Sequence, residues 1–186
     1  MKLRKQKSIK DSPLPLFGLN VPLNIEFNSQ NRERAVLRKD CIQIYLCQTK
    51  SDIEIDNKIQ HHTEKLLRSL LYDMIYSRLE KYTSISGLQY KNLRIKKMKS
   101  RWGSCSSMGN LNFNIGLSLV PIRILDYVVV HELCHLKELN HSSRFWNEVG
   151  KLLPSYKSDR KWLRENELRI LSYFYNLETF QLIGEE

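Results

Sequence analysis

Hydrophobic residues recur along this chain at two alternating periods, and each change of period marks a new element. Between residues 21 and 47 the period is two: Leu23, Ile25 and Phe27 alternate with polar positions, and so do Ile42, Ile44 and Leu46. Such alternation belongs to half-buried strands. Asn28-Ser29-Gln30-Asn31 and Arg38-Lys39-Asp40 supply turns, so 21–47 predicts a small antiparallel meander. Ahead of it, Pro13 and Pro15 make 11–20 an extended lead-in. From 52 to 82 the period lengthens to that of a helix, with Ile59, Leu66, Leu67, Leu70, Leu71, Met74, Ile75, Leu79 and Tyr82 on one broad face. Ser86-Gly87 closes it. Strand periodicity returns at 92–99 and 110–118, flanking a loop around Trp102 and the turn Met108-Gly109-Asn110. Pro121 then opens a helix expected to run from about 121 to 139. Within it Val128-Val129-Val130 favours strand. Ser142 and Ser143 can cap a further helix beginning at Arg144. The last stretch, 168–183, is rich in Leu, Tyr and Phe and is expected to pack on the core rather than form a dimer contact. The fold class is α+β.

Length and composition limit this to one compact unit. A chain of 186 residues, 41% of them hydrophobic, buries a single core, so residues 16–186 read as one domain behind a basic, extended segment 1–15. The longest apolar runs fall far short of the roughly 20 residues of a membrane span, and the basic N-terminus lacks the apolar stretch of a signal peptide. Cys41, Cys47, Cys105 and Cys134 show no paired spacing, which fits reduced thiols. A cytoplasmic location is the expectation. The net charge of +10 is unevenly spread: residues 91–101 hold Lys91, Arg94, Lys96, Lys97, Lys99 and Arg101 with no acid. That block suggests contact with acidic polypeptides, nucleotides or nucleic acid.

The chemistry concentrates in the helix after Pro121. His131 and His135 stand four residues apart and so share one helix face, where both can grip one ion. Glu132 lies about 100° further round, within reach of a water on that ion but not of the ion itself. This is the spacing of metal-assisted hydrolysis, with Glu132 as general base and Zn²⁺ as the expected metal. On an unbroken helix His141 would face roughly 80° away from His131. The helix must therefore stop before it, and Asn140 suits a left-handed stop. His141 then completes the ligand set, with Glu148, Glu165 or Glu167 as rivals for the third place. Glu138 shares the histidine face as a supporting residue. A true metzincin is excluded, since that class has Gly where Glu138 stands and a Met-turn downstream, whereas the four Met all precede the motif. The adjacent His61 and His62 point to different faces and read as surface residues.

Taken together, Arg101-Trp-Gly-Ser-Cys105, Gly109-Asn-Leu-Asn112, the run from Leu125 to Leu136, Asn140-His-Ser142, Phe145-Trp146 and Pro154-Ser-Tyr156 resemble the YgjP-like zinc metallopeptidase family, which is related to SprT-like and WLM-type proteases. The resemblance runs roughly from residue 20 to residue 165, with the catalytic part over 52–165. It implies a minimal zincin-like fold, His131, His135 and His141 as zinc ligands, Glu132 as the catalytic residue, and a polypeptide substrate. Arg101, Trp102 and Tyr156 are candidates for lining the cleft, Cys105 for a buried thiol nearby, and the strand 110–115 for edge-on pairing with an extended peptide. Two other readings compete with peptide hydrolysis. One is a phosphohydrolase, such as a nucleotide pyrophosphatase, whose phosphates are held by 91–101. The other is a nucleic-acid-associated protein, either a DNA-bound SprT-like protease or a binder with a structural zinc.

Overall fold

The computed structural model describes residues 13–29, 32–49 and 51–174. The chain opens with a hairpin of β1 (Leu14–Leu16) and β2 (Leu19–Val21). Its turn holds Gly18 at φ +86°, with Pro121 packed so closely that a side chain at 18 would press on it. The extended lead-in expected around Pro13 and Pro15 is thus a strand paired in a hairpin. Next come β3 (Leu23–Asn28), β4 (Arg34–Leu37) and β5 (Ile42–Cys47). They form a sheet in the order β3-β5-β4, in which β4 is antiparallel to β5 but β3 runs parallel to it. The antiparallel meander is therefore corrected to a mixed sheet. Its cause is burial: Ile42, Ile44 and Leu46 are wholly inaccessible, and the central position gives the most apolar strand a partner on each side. The turn at 28–31 falls partly outside the described residues. The one at 38–40 is closed by Arg38 N–H donating to the Cys41 carbonyl at 2.8 Å.

Helix α1 (Asp52–Ser86) is capped at its start by Ser51, whose hydroxyl accepts the Glu54 N–H, and at its end by Gly87 in the left-handed conformation. Ile59, Leu67, Leu71, Ile75, Leu79 and Tyr82 form its buried stripe. A second sheet follows, with β6 (Asn92–Lys96), β7 (Gly103–Cys105) and β8 (Asn110–Asn114) in the order β6-β8-β7. The strand expected over 110–118 ends at Asn114, whose side chain accepts the Gly116 N–H and starts a 3₁₀ turn over Ile115–Leu119. Since β8 is central, 110–115 offers no open edge. The edge on the side of the motif helix belongs to β7.

Three helices complete the fold: α2 (Ile122–Cys134), α3 (Ser143–Leu152) and α4 (Tyr156–Leu171). Ile124, Leu125, Val128, Val129, Val130 and Leu133 of α2 are all buried. A helix enclosed on every side tolerates three consecutive valines because packing outweighs their strand preference. Arg78 of α1 pairs with Asp126 at 3.0 Å, and Arg123 pairs with the buried Asp159 of α4. Ile170, Leu171 and Phe174 are buried, so the start of the 168–183 stretch does pack on the core; the remainder lies outside the described residues. No described helix is long and apolar enough to cross a membrane, and no disulfide joins the four cysteines.

The N-terminal sheet is fastened to α1 through Glu33. Its carboxylate accepts the Cys47 N–H at 3.1 Å and pairs with Lys58 at 2.8 Å, with His62 at 3.5 Å. The bond to Lys58 is the main reason its pKa falls to about 2. A depressed carboxyl pKa contributes stability that is present above the unfolded-state value and lost as pH falls through the folded one. Glu33→Gln is expected to lower Tm by about 3 °C at neutral pH. Thermal melts of both proteins between pH 7 and pH 2 should show that difference closing as the pH drops from about 4.5 toward about 2.

Candidate metal centre

Helix α2 brings His131 and His135 one turn apart with their Nε2 atoms 3.3 Å from each other. The helix stops sooner than its sequence suggests. The last turn tightens, with Leu136 N–H donating to Leu133 and Lys137 N–H to Cys134, both at 3.0 Å. This frees the Glu138 carbonyl to turn back and accept His135 Nδ1–H at 3.0 Å. Glu138 thus supports the site through its backbone, while its carboxylate lies 3.6 Å from Arg144. Among the described non-glycine residues only Phe17 has a positive φ, so Asn140 is not the left-handed stop. Instead its side-chain oxygen accepts the Ser142 N–H at 3.3 Å, and Ser142 in turn caps α3. The turn carries His141 back until its Nε2 lies 3.0 Å from that of His131.

The three ring nitrogens lie within 4.8 Å of one another. Ligand nitrogens about 2.0–2.1 Å from a tetrahedral zinc stand roughly 3.3 Å apart, so the observed spacing fits such an ion. Bare imidazole lone pairs cannot satisfy each other at this range, and a shared cation can. The protonation states agree with ligand duty. Burial, reinforced by His135 and His141, pushes His131 down to about 3, and burial also lowers His141. His131 Nδ1 is buried without a partner among the described residues. The rival third ligands are engaged elsewhere: Glu148 pairs with Lys137 and Lys151, Glu165 with Lys161, and Glu167 accepts from the Trp102 side chain.

Glu132 is 5% exposed, and burial lifts its pKa to about 8, opposed by Arg101. It lies directly against β7. A Cβ on Gly103 would come within 2.5 Å of the Glu132 carboxylate, so only glycine leaves room for it. A cleft of about 420 Å³ opens here, with Arg101, Trp102 and Cys105 on the β7 side and Tyr127, Glu132 and the three histidines facing them. Burial, with Glu132 close by, raises the Cys105 thiol pKa. Trp102 is half wall and half anchor, since its ring also packs on Gly116. Tyr156 is not a lining residue; its ring stacks on Trp146 at 5.3 Å. Of the basic block only Arg101 reaches the cleft. Arg94 and Lys96 border a separate groove of about 600 Å³ with Lys65 and Arg68. His61 is exposed and His62 sits near Glu33, both outside the cluster.

The residue-by-residue reading missed Gly103, Tyr127, Phe145 and Trp146. Gly103 and Phe145-Trp146 stood in the quoted motif pattern with no role attached, because their contacts are to residues distant in sequence or beyond the histidines themselves. Phe145 stacks on His135 at 4.5 Å, Trp146 on His141 at 5.7 Å, and Tyr127 meets His131 edge-on at 5.9 Å.

No curated protein matches the chain. Two solved structures are similar. The metallopeptidase zymogen abylysin of Pyrococcus abyssi is 27% identical over 50% of this chain and 95% of its own, with a TM-score of 0.46. The metallopeptidase zymogen jannalysin of Methanocaldococcus jannaschii is 27% identical over 56% of this chain and 97% of its own, with a TM-score of 0.40. A sequence model described as the YgjP-like metallopeptidase domain matches residues 2–166. With that match and an α+β, zincin-like arrangement around a histidine cluster, the chain belongs to the YgjP-like metallopeptidase family.

Proposed function

We propose that the chain is a zinc-dependent peptidase that hydrolyses peptide bonds with Glu132 as general base. The observation that carries this reading is the convergence of three imidazoles beside a buried carboxyl, at the floor of a cleft bordered by a short edge strand. His131, His135 and His141 would hold the ion. Zinc, when bound, supplies a Lewis acid that acidifies a water and polarises the scissile carbonyl. Glu132 takes the proton from the attacking water as its oxygen joins the carbonyl carbon, and returns it to the amine as the C–N bond breaks. Its raised proton affinity suits a group that must hold a proton and hand it on, and a nearby cation acts against that rise. Arg101 is the donor available to the developing oxyanion. The free edge of β7 supports main-chain pairing with an extended polypeptide, and Trp102 forms the adjoining wall. Tyr156 takes no substrate contact in this reading; it backs Trp146.

The competing phosphohydrolase needs cationic groups around the reacting phosphates, and the cleft offers Arg101 from the basic block. Arg94 and Lys96 of that block lie on β6, across β8 from β7, and Lys97 pairs with Glu64 of α1. This distribution favours the peptide substrate. Purified protein with stoichiometric zinc is expected to cleave casein-type substrates and leave nucleoside triphosphates intact. Glu132→Gln is expected to reduce cleavage by about 10³-fold while keeping its zinc. Triphosphate hydrolysis that vanishes in Glu132→Gln, with casein untouched, would reverse the assignment.

Gly103→Ala tests the same geometry from the opposite wall. The new methyl displaces the Glu132 carboxylate, so kcat is expected to fall by about 100-fold with zinc content nearly unchanged, and overpacking is expected to lower Tm by a few degrees. Wild-type kcat in this variant would show that the carboxylate has no fixed place in the reaction.

A further inference from the structure

We infer that Trp146 is the positioning residue of His141, aiming by ring stacking the one ligand imidazole that lies on an exposed connection. The inference rests on the metal-centre reading above. An imidazole that binds a metal is usually oriented by a hydrogen bond from its other ring nitrogen. Here His135 has such a bond, to the Glu138 carbonyl. His131 lacks one among the described residues but sits within α2, with Tyr127 and Phe145 edge-on against its ring. His141 has no such bond and no helix to hold it, although Phe145 meets its ring edge-on at 4.9 Å. It is exposed, it belongs to the link between α2 and α3, and its ring's one hydrogen-bond-distance neighbour among the described residues is His131 Nε2, itself a ligand atom.

What His141 does have is an aromatic ring beneath it. Trp146 stacks on it at 5.7 Å with 26° between the planes. Trp146 is itself held firmly. Its N–H donates to the Ser142 carbonyl at 3.2 Å in the first turn of α3, Tyr156 stacks on its ring at 5.3 Å and 12°, and the Arg160 guanidinium lies 4.7 Å from its ring centre. The order in α4 is thereby passed through Trp146 to an imidazole that would otherwise sample several rotamers. Ordering it before the ion arrives removes an entropy cost from metal binding.

The test is a double-mutant cycle on zinc affinity, measured on metal-free protein by competition with a chromophoric chelator and cross-checked by the ligand-field bands of the cobalt-substituted protein. Trp146→Ala is expected to weaken zinc binding by about 10- to 100-fold. In a His141→Ala background the same change is expected to matter by no more than about twofold, since its target is gone. Undiminished affinity in Trp146→Ala overturns the inference, and so does an equal loss in both backgrounds, which is the mark of a merely structural role. Should Trp146→Ala fail to fold, Trp146→Phe and Trp146→Leu replace it. Phe should keep near-wild-type affinity and Leu should lose it, and equal affinities again overturn the inference. A wild type that binds no zinc is a different result, because it removes the metal centre itself.

Discussion

Two imidazoles on one helix and a third on a following turn can share an ion only if helix and turn are held in fixed relation. In this protein the fixing comes from burying the motif helix on every side. Helix α2 packs against α1, α3, α4 and β7, with its aliphatic side chains beyond Ile122 removed from water. Each such side chain contributes about 1.5–3 kcal/mol, and the close packing of the interior lets the helix neither tilt nor slide without opening cavities. Ion pairs to Arg78 and Asp159 hold its first turns. The histidines stand at the other end, where α2 emerges from the core.

Glu132 shows what the same enclosure does electrostatically. A carboxyl that is 95% buried resists ionisation, and its pKa of about 8 measures that resistance. Stability alone would favour an apolar residue there. The protein instead clears backbone space for the carboxylate at Gly103 and sets Arg101 where its charge offsets part of the desolvation. Local rules are broken in this way at functional sites, and the rest of the fold absorbs the cost.

The convergence of His131 and His135 was legible in the sequence because spacing along a helix is itself geometry: residues four apart face one way whatever surrounds them. The same holds for the buried stripe of α1 and for Gly87 at its end. Strand order was not legible. Alternation in 23–27 and 42–46 shows that one face of each strand is buried, and says nothing of which strand lies beside which. The premature end of α2 was also hidden, since it depends on a carbonyl at 138 finding a ring nitrogen at 135. Asn140 was identified as a stop for the wrong reason: its side chain makes the turn, and its backbone stays in the ordinary region. The place of the basic block was not legible either, because charge density along the chain does not tell which edge of the sheet receives it. Gly103 lay in plain view, but its meaning needed Glu132, 29 positions later, to be folded against it.

Helix α4 explains why so small a site needs so much chain. It contributes no metal ligand, and Leu163 is its one residue on the cleft wall. Yet it touches α2, which carries His131, and α3, which begins just after His141. Asp159 ties it to Arg123 at the start of α2, and Ser155 donates to the same carboxylate. One residue further on, Arg160 lies against Trp146 of α3, and Tyr156 stacks on the same ring. These contacts close a triangle of α2, α3 and α4, and the segment bearing His141 is the strap across one corner. Without the third side, α3 would be joined to α2 through the turn, the packing of Phe145 and the Lys137–Glu148 ion pair, and an exposed turn is among the least stable places in a fold. The family match extends to residue 166, past Asp159, Arg160 and Leu163.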